Sequence, residues 1–302
     1  MTKNSISQSQ KRFNESVAKL FDSERTGPLT LFLTSSSDQG VIRNGGRNGS
    51  RFAPQSLLST LKKFTLTEEM ANLAFREVEV SDQLLELVDF KKAQEEEARK
   101  IYDQIRNHPK SPLYHIGGGH DHVYPLLKAL SHIYPKIIVI NIDAHADTRT
   151  DDDPNSGTPF RQFCVERGEN FSLLQIGLNP FANSFSTLSN LECSTQKIIW
   201  RKELTKEKVS EQLKTIRNLI DEKTAVIFSI DADALSGSEV PGVSAVNPNG
   251  ISLQELQEIW TAFRGIGIHH PAVVGIYELN PIYDSISSIS MKTLATFIFE
   301  SL

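Results

Sequence analysis

The stretch NIDAHADTR, residues 141–149, sets Asp143, His145 and Asp147 at alternate positions. In an extended segment alternate residues face one way, so these three side chains converge, with the small Ala144 and Ala146 between them. Two carboxylates held close repel each other, and partial burial sharpens the cost. Either the segment ends in solvent, where water screens the charge, or a divalent cation neutralises it. VIFSIDADAL, residues 226–235, repeats the arrangement: an apolar run, then Asp231 and Asp233 two apart. A third stretch, YHIGGGHDH (114–122), places His120 after a glycine run at the end of an apolar segment. Alone, a histidine there is more often a cap or a satisfied polar group than a ligand. Together the three stretches supply two imidazoles, His120 and His145, and four carboxylates. This oxygen-rich set suits a pair of Mn²⁺ ions better than structural zinc, which favours thiolates. Asp143 and Asp231 are the candidates to bridge the pair.

The glycines of GGGHD either let backbone approach closely or cradle a phosphate at a helix start. The run lacks the lysine and hydroxyl of a P-loop and the spacing of a dinucleotide fingerprint, so phosphate is not the expectation.

These motifs need rigid elements behind them. Apolar runs at 29–33, 112–116, 136–140, 171–178, 197–200, 224–230 and 271–277 read as strands. Helices are expected near 55–75, 81–107, 121–133, 203–221, 251–265 and 286–300, with Glu95–Arg99 and Glu96–Lys100 as i,i+4 pairs on a solvated face. Continuously apolar strands alternating with helices predict an α/β fold with a mostly parallel sheet covered on both faces. In such a fold, ligands bind beyond the carboxyl ends of the strands, where all three motifs fall. With no repeat or low-complexity linker, one domain over 1–302 is expected, residues 1–25 being a peripheral extension.

Bulk composition narrows the classes. A net charge of −5 leaves no basic stripe for nucleic acid. Two cysteines, Cys164 and Cys193, cannot build a disulfide framework, which suits a reducing cytoplasm. No stretch reads as a signal peptide or a membrane span, so a soluble cytoplasmic protein is expected.

The order and spacing of GGGHD, DAHAD and SIDAD resemble the ureohydrolases, the superfamily of arginase, agmatinase and formiminoglutamase. GGRNGSRFAPQSL (45–57) and YELNP (277–281) are similar to that family's early Gly-Arg and late Glu-x-Asn-Pro segments. The resemblance implies a three-layer α/β/α fold with an eight-stranded sheet, a binuclear manganese centre, a small-molecule substrate and assembly as homotrimers or hexamers. One metal would take His120, Asp143, Asp147 and Asp231, and the other Asp143, His145, Asp231 and Asp233. Glu278 would hold the amidine or guanidine of the substrate, and Asp147 would relay a proton to the departing nitrogen. Arginase-like members carry a proton-shuttling histidine in the loop after the first metal motif; here Ser156 stands there, within PNSGTPFRQF (154–163). That loop and PGVSAVNP (241–248) resemble formiminoglutamases instead. N-formimino-L-glutamate would then be cleaved to glutamate and formamide, a step of histidine degradation. Its two carboxylates need cations; Arg149 and Arg161 are the candidates, Arg47 a third, with Asn155 and Ser156 as further substrate contacts. The rival readings are hydrolysis of arginine, agmatine or guanidinobutyrate, or a metal-binding regulatory protein without turnover.

Overall fold

The computed structural model describes residues 12, 13, 15–189 and 191–302. Its strands are β1 (Leu29–Ser35), β2 (Ala74–Glu79), β3 (Leu113–Gly117), β4 (Lys136–Ile142), β5 (Phe171–Leu178), β6 (Thr195–Trp200), β7 (Thr224–Asp231) and β8 (Val273–Tyr277). They form one eight-stranded sheet in the order β2-β1-β3-β8-β7-β4-β5-β6. Every pairing is parallel, so the sheet is wholly rather than mostly so.

Side-chain alternation divides the core in two. From β4, Ile138, Ile140 and Ile142 enter one cluster, together with Leu57, Phe263 and Phe297 from the helices Ala53–Leu61, Leu253–Arg264 and Ile289–Ser301. Ile137 and Val139 enter the other, with Ile101, Leu127 and Phe163 from the helices Phe90–Asn107, Val123–Ser131 and Pro159–Arg167. Both faces of the sheet are therefore covered, giving the three-layer α/β/α arrangement that a continuous β-branched run such as KIIVI demands.

Three elements depart from the sequence reading. The helix expected over 55–75 stops at Leu61, and the missing eighth strand, β2, begins at Ala74. β2 lies on the sheet edge, so AFREVE carries charge on its exposed positions and lacks the apolar run by which its partners are recognised. The helix expected over 81–107 is two helices, Gln83–Val88 and Phe90–Asn107, because Asp89 adopts an extended conformation and caps the second through the backbone N–H of Lys92. On that second helix Arg99 pairs with Glu96 and Asp103, while Glu95 turns instead to Lys128. Of the extension expected over 1–25, residues 1–11 and 14 lie outside the described residues; Val17–Phe21 forms a short 3₁₀ turn with Val17 and Leu20 fully buried. No helix of the described residues is long and apolar enough to cross a membrane.

Candidate active site

The four central strands, in spatial order β3, β8, β7 and β4, each deliver a charged residue at their carboxyl ends. His120 follows β3, Glu278 follows β8, Asp231 closes β7 and Asp143 follows β4. The glycine run before His120 serves close backbone approach: a Cβ on Gly118 would lie 1.9 Å from the carbonyl oxygen of Ser37.

Two groups of ligand-type atoms result. In the first, the Nδ1 atom of His120 lies 2.8 Å from Asp147, 3.2 Å from Asp143 and 3.2 Å from Asp231, all buried. No single one of these contacts satisfies Nδ1 with good hydrogen-bond geometry. Three oxygens converging on one buried nitrogen are arranged as ligands around a common cation would be, not as a hydrogen-bonded pair. The second group comprises Asp143, His145 and Asp233, with His145 Nδ1 3.1 Å from Asp233 and 3.8 Å from Asp143. Asp143 belongs to both, one carboxylate oxygen facing each histidine. Asp231 faces only the first; its other oxygen accepts the backbone N–H of Asp233 at 2.8 Å. All six residues expected as ligands are thus brought together, and the hard, oxygen-rich donor set fits a pair of divalent cations.

The electrostatics agree. Burial pushes the Asp143 carboxyl up to about 6, with the Asp147 charge adding to it. Burial and the charges of Asp233 and Asp143 raise Asp231 well above the carboxylate range. The Asp233 carboxylate holds the His145 imidazole up to about 11. Surplus negative charge in a dry site draws protons wherever it can, and a cation would replace them.

Backbone strain marks the same place. Asp147 (φ 49°) and Glu278 (φ 63°) both occupy the left-handed region, a cost of about 1–3 kcal/mol each for a residue other than glycine. Glu278 is buried, and its Oε1 accepts the backbone N–H of His120 at 2.9 Å. Burial pushes its carboxyl up to about 8 against the pull of that N–H. Glu278, Asp147, His145, Asp231 and Asp233 open together into a cavity of about 600 Å³.

The candidate substrate contacts divide. Arg149 and Ser156 line this cavity. Ser156 is held by Asn44, whose amide donates to its hydroxyl at 3.1 Å, and Arg149 forms a 3.0 Å ion pair with Asp151. Asn155 and Arg161 are outside the lining. The Asn155 side chain ties its own loop, accepting from the Gly157 N–H at 2.9 Å and donating to Asp151 at 2.8 Å. Arg161 donates to the carbonyls of Thr148 and Ser189 at 2.7 and 2.9 Å, which spends its fork on the backbone beside the site.

Sequence reading missed the polar residues beneath the His/Asp cluster. His120 Nε2 meets Ser229 Oγ at 2.9 Å, which leaves Nδ1 for the carboxylates. Asn141 donates to Asp143 at 3.0 Å. Asn183 and Gln175 hold the backbone of the DAHAD turn at Ala144 and Ala146. Tyr277 stacks on the His120 ring at 4.9 Å, and its hydroxyl meets His115 at 3.0 Å. A signal existed for two of them: Asn141 and Ser229 each interrupt an apolar run, two positions before an aspartate of the site.

A parallel α/β/α sheet whose central strand ends carry a two-histidine, four-aspartate cluster able to hold metal is the architecture of a hydrolase of ureohydrolase type. The Arginase family model matches residues 37–302, and the chain belongs to the arginase family. It is 31% identical over 275 residues to the formimidoylglutamase of Staphylococcus carnosus, covering 89% of this chain and 84% of that protein. It is 28% identical to that of Rhodococcus opacus, covering 95% and 89%. Among solved structures, the formimidoylglutamase of Bacillus subtilis superposes with a TM-score of 0.79 at 22% identity, over 93% of this chain and 88% of that one. The Trypanosoma cruzi formiminoglutamase with Mn²⁺ superposes at 0.76 with 24% identity, over 94% and 96%.

Proposed function

We propose that this protein hydrolyses the formimino C–N bond of N-formimino-L-glutamate, releasing L-glutamate and formamide, as a step of histidine degradation. The observation that carries the reading is Glu278: a buried carboxylate, strained into place and braced by the His120 N–H, that faces the same cavity as the His/Asp cluster. An amidinium presents two N–H donors on a planar fork, and a carboxylate is its natural partner. Entry of that positive charge draws Glu278 into its ionised form. The curated relatives named formimidoylglutamase, matched over most of their length, support the substrate, and Ser156 in place of a loop histidine agrees.

His120, Asp143, Asp147 and Asp231 would hold one Mn²⁺, and Asp143, His145 and Asp233 the other. When bound, the two ions supply Lewis acidity that lets a water lose a proton near neutral pH. Asp147, at the cavity wall, accepts that proton. Water oxygen attacks the formimino carbon while Glu278 holds the amidine nitrogen and keeps the tetrahedral centre oriented. The bond to the glutamate nitrogen then breaks as Asp147 returns its proton to that nitrogen, and the hydroxyl proton of the tetrahedral centre passes through solvent to the departing amine, so glutamate leaves in its ammonium form and formamide remains.

Formamide release from N-formimino-L-glutamate by protein stripped with chelator and reloaded with Mn²⁺ is the test. Manganese-dependent formamide with no urea from arginine is expected. Urea from arginine or agmatine without formamide would overturn the substrate assignment and leave the cluster standing. Stoichiometric metal without turnover of any of these would point to a regulatory metal protein.

A further inference from the structure

A dianionic substrate needs cations in a cavity otherwise lined with acids, and the cavity offers two arginines, Arg149 and Arg47. Arg149 already pairs with Asp151 and also donates to the Asn44 side chain at 2.8 Å. Arg47 has no carboxylate within ion-pair distance among the described residues. Its guanidinium is nonetheless firmly placed. The Cζ atom stacks 4.1 Å over the Tyr283 ring, and one terminal nitrogen donates to the Val243 carbonyl. Nε is buried and has no hydrogen-bond partner. The backbone of Arg47 is pinned as well: its N–H donates to Ser244 Oγ at 2.7 Å, and the Asn280 amide donates to the carbonyls of Arg47 and Asn48.

Three separated motifs therefore build this one position: GGRNG supplies the arginine, PGVSAVNP its clamp, and YELNP both Asn280 and the amidine-holding Glu278. Glu278, which would anchor the positive charge, and Asn280, which holds the backbone of Arg47, are two residues apart on one turn. A stacked guanidinium without an acidic partner is a preorganised receptor for a planar anion, and it repels a substrate that ends in an amine.

We propose that Arg47 is a specificity-determining residue that receives one carboxylate of the substrate and excludes guanidine substrates with cationic tails. This rests on the formiminoglutamate reading.

The test compares wild type with Arg47→Met and Arg47→Lys on N-formimino-L-glutamate and two analogues. N-formimino-L-norvaline lacks the side-chain carboxylate; N-formimino-γ-aminobutyrate lacks the α-carboxylate. Arg47→Met is expected to lose about 10–100-fold in kcat/KM on the dianion, chiefly through KM. It loses nothing further on the analogue that lacks the carboxylate Arg47 holds, and Arg47→Lys recovers part of the loss. Equal loss on all three compounds, or no loss on the dianion, overturns the proposal. Calorimetric titration with L-glutamate separates the two readings. Wild type that binds glutamate without releasing formamide refutes the reaction only, and Arg47 then stands if Arg47→Met abolishes that binding and falls if it does not. Wild type that neither turns over nor binds refutes both.

Discussion

Asn141 of β4 and Ser229 of β7 are register partners on neighbouring strands, and each lies two residues before an aspartate of the cluster. Asn141 holds Asp143, and Ser229 holds the Nε2 edge of His120. The pair forms a polar floor under the cluster, continued on β5 by Gln175, the register partner of Asn141. Ser229→Ala removes the partner that orients His120, and Mn²⁺ affinity is expected to fall by about 10–100-fold with the fold intact. Metal titration by calorimetry, alongside thermal unfolding of the metal-free protein, checks this; unchanged affinity would show that stacking on Tyr277 orients the ring alone.

Glu278→Gln keeps an oxygen to accept the His120 N–H but removes the charge that faces the amidine. A loss of about 10²–10³ in kcat/KM is expected, with metal content unchanged. Metal analysis and steady-state kinetics on one preparation decide it. Loss of metal along with activity would place Glu278 in the structure of the cluster rather than in substrate binding.

Metal uptake should release protons. Without the cation, Asp233 holds His145 up to about 11, so at pH 7 that imidazole is protonated and must lose its proton to become a ligand. Mn²⁺ affinity is therefore expected to rise with pH through neutrality. It should fall more steeply below about pH 6, where Asp143 also takes a proton. Binding heats measured in buffers of different ionisation enthalpy give the number released; identical heats would refute the argument.

Away from the cavity, Glu86, Glu97 and His122 form a second buried group. Burial pushes Glu86 up to about 8 from its ordinary 4.5, while His122 and the Ser37 hydroxyl oppose the rise. Because the folded pKa is raised, the stability this group contributes is full below pH 4.5 and is lost as pH rises towards 8. Glu86→Gln keeps the hydrogen bond from Ser37 and cannot ionise. The variant should match wild type near pH 4.5 and exceed it in melting temperature by pH 8, both metal-saturated. A gap that does not change with pH would contradict the assignment.

Much of this protein is legible in its sequence because its chemistry sits where the pattern is strongest. Seven apolar runs announce seven strands, and the alternate spacing of Asp143, His145 and Asp147 or of Asp231 and Asp233 puts charge at strand ends. Local periodicity is enough for both. β2 escaped because an edge strand need bury only one side, and the break at Asp89 escaped because a cap is a matter of one residue's conformation. Which arginines reach the cavity was decided only by tertiary structure. Arg161 follows the metal motif closely in sequence, in the first turn of the helix Pro159–Arg167, yet it donates to backbone carbonyls outside the cavity lining; Arg47, about a hundred residues before the metal motif, is carried to the cavity by contacts with Val243, Ser244 and Asn280. The same holds for the order of the strands. Residue types and spacing determine which atoms can bind a cation, but only the parallel crossovers that set β3, β8, β7 and β4 side by side bring four distant chain segments to one point. That convergence is long-range, and no local pattern encodes it.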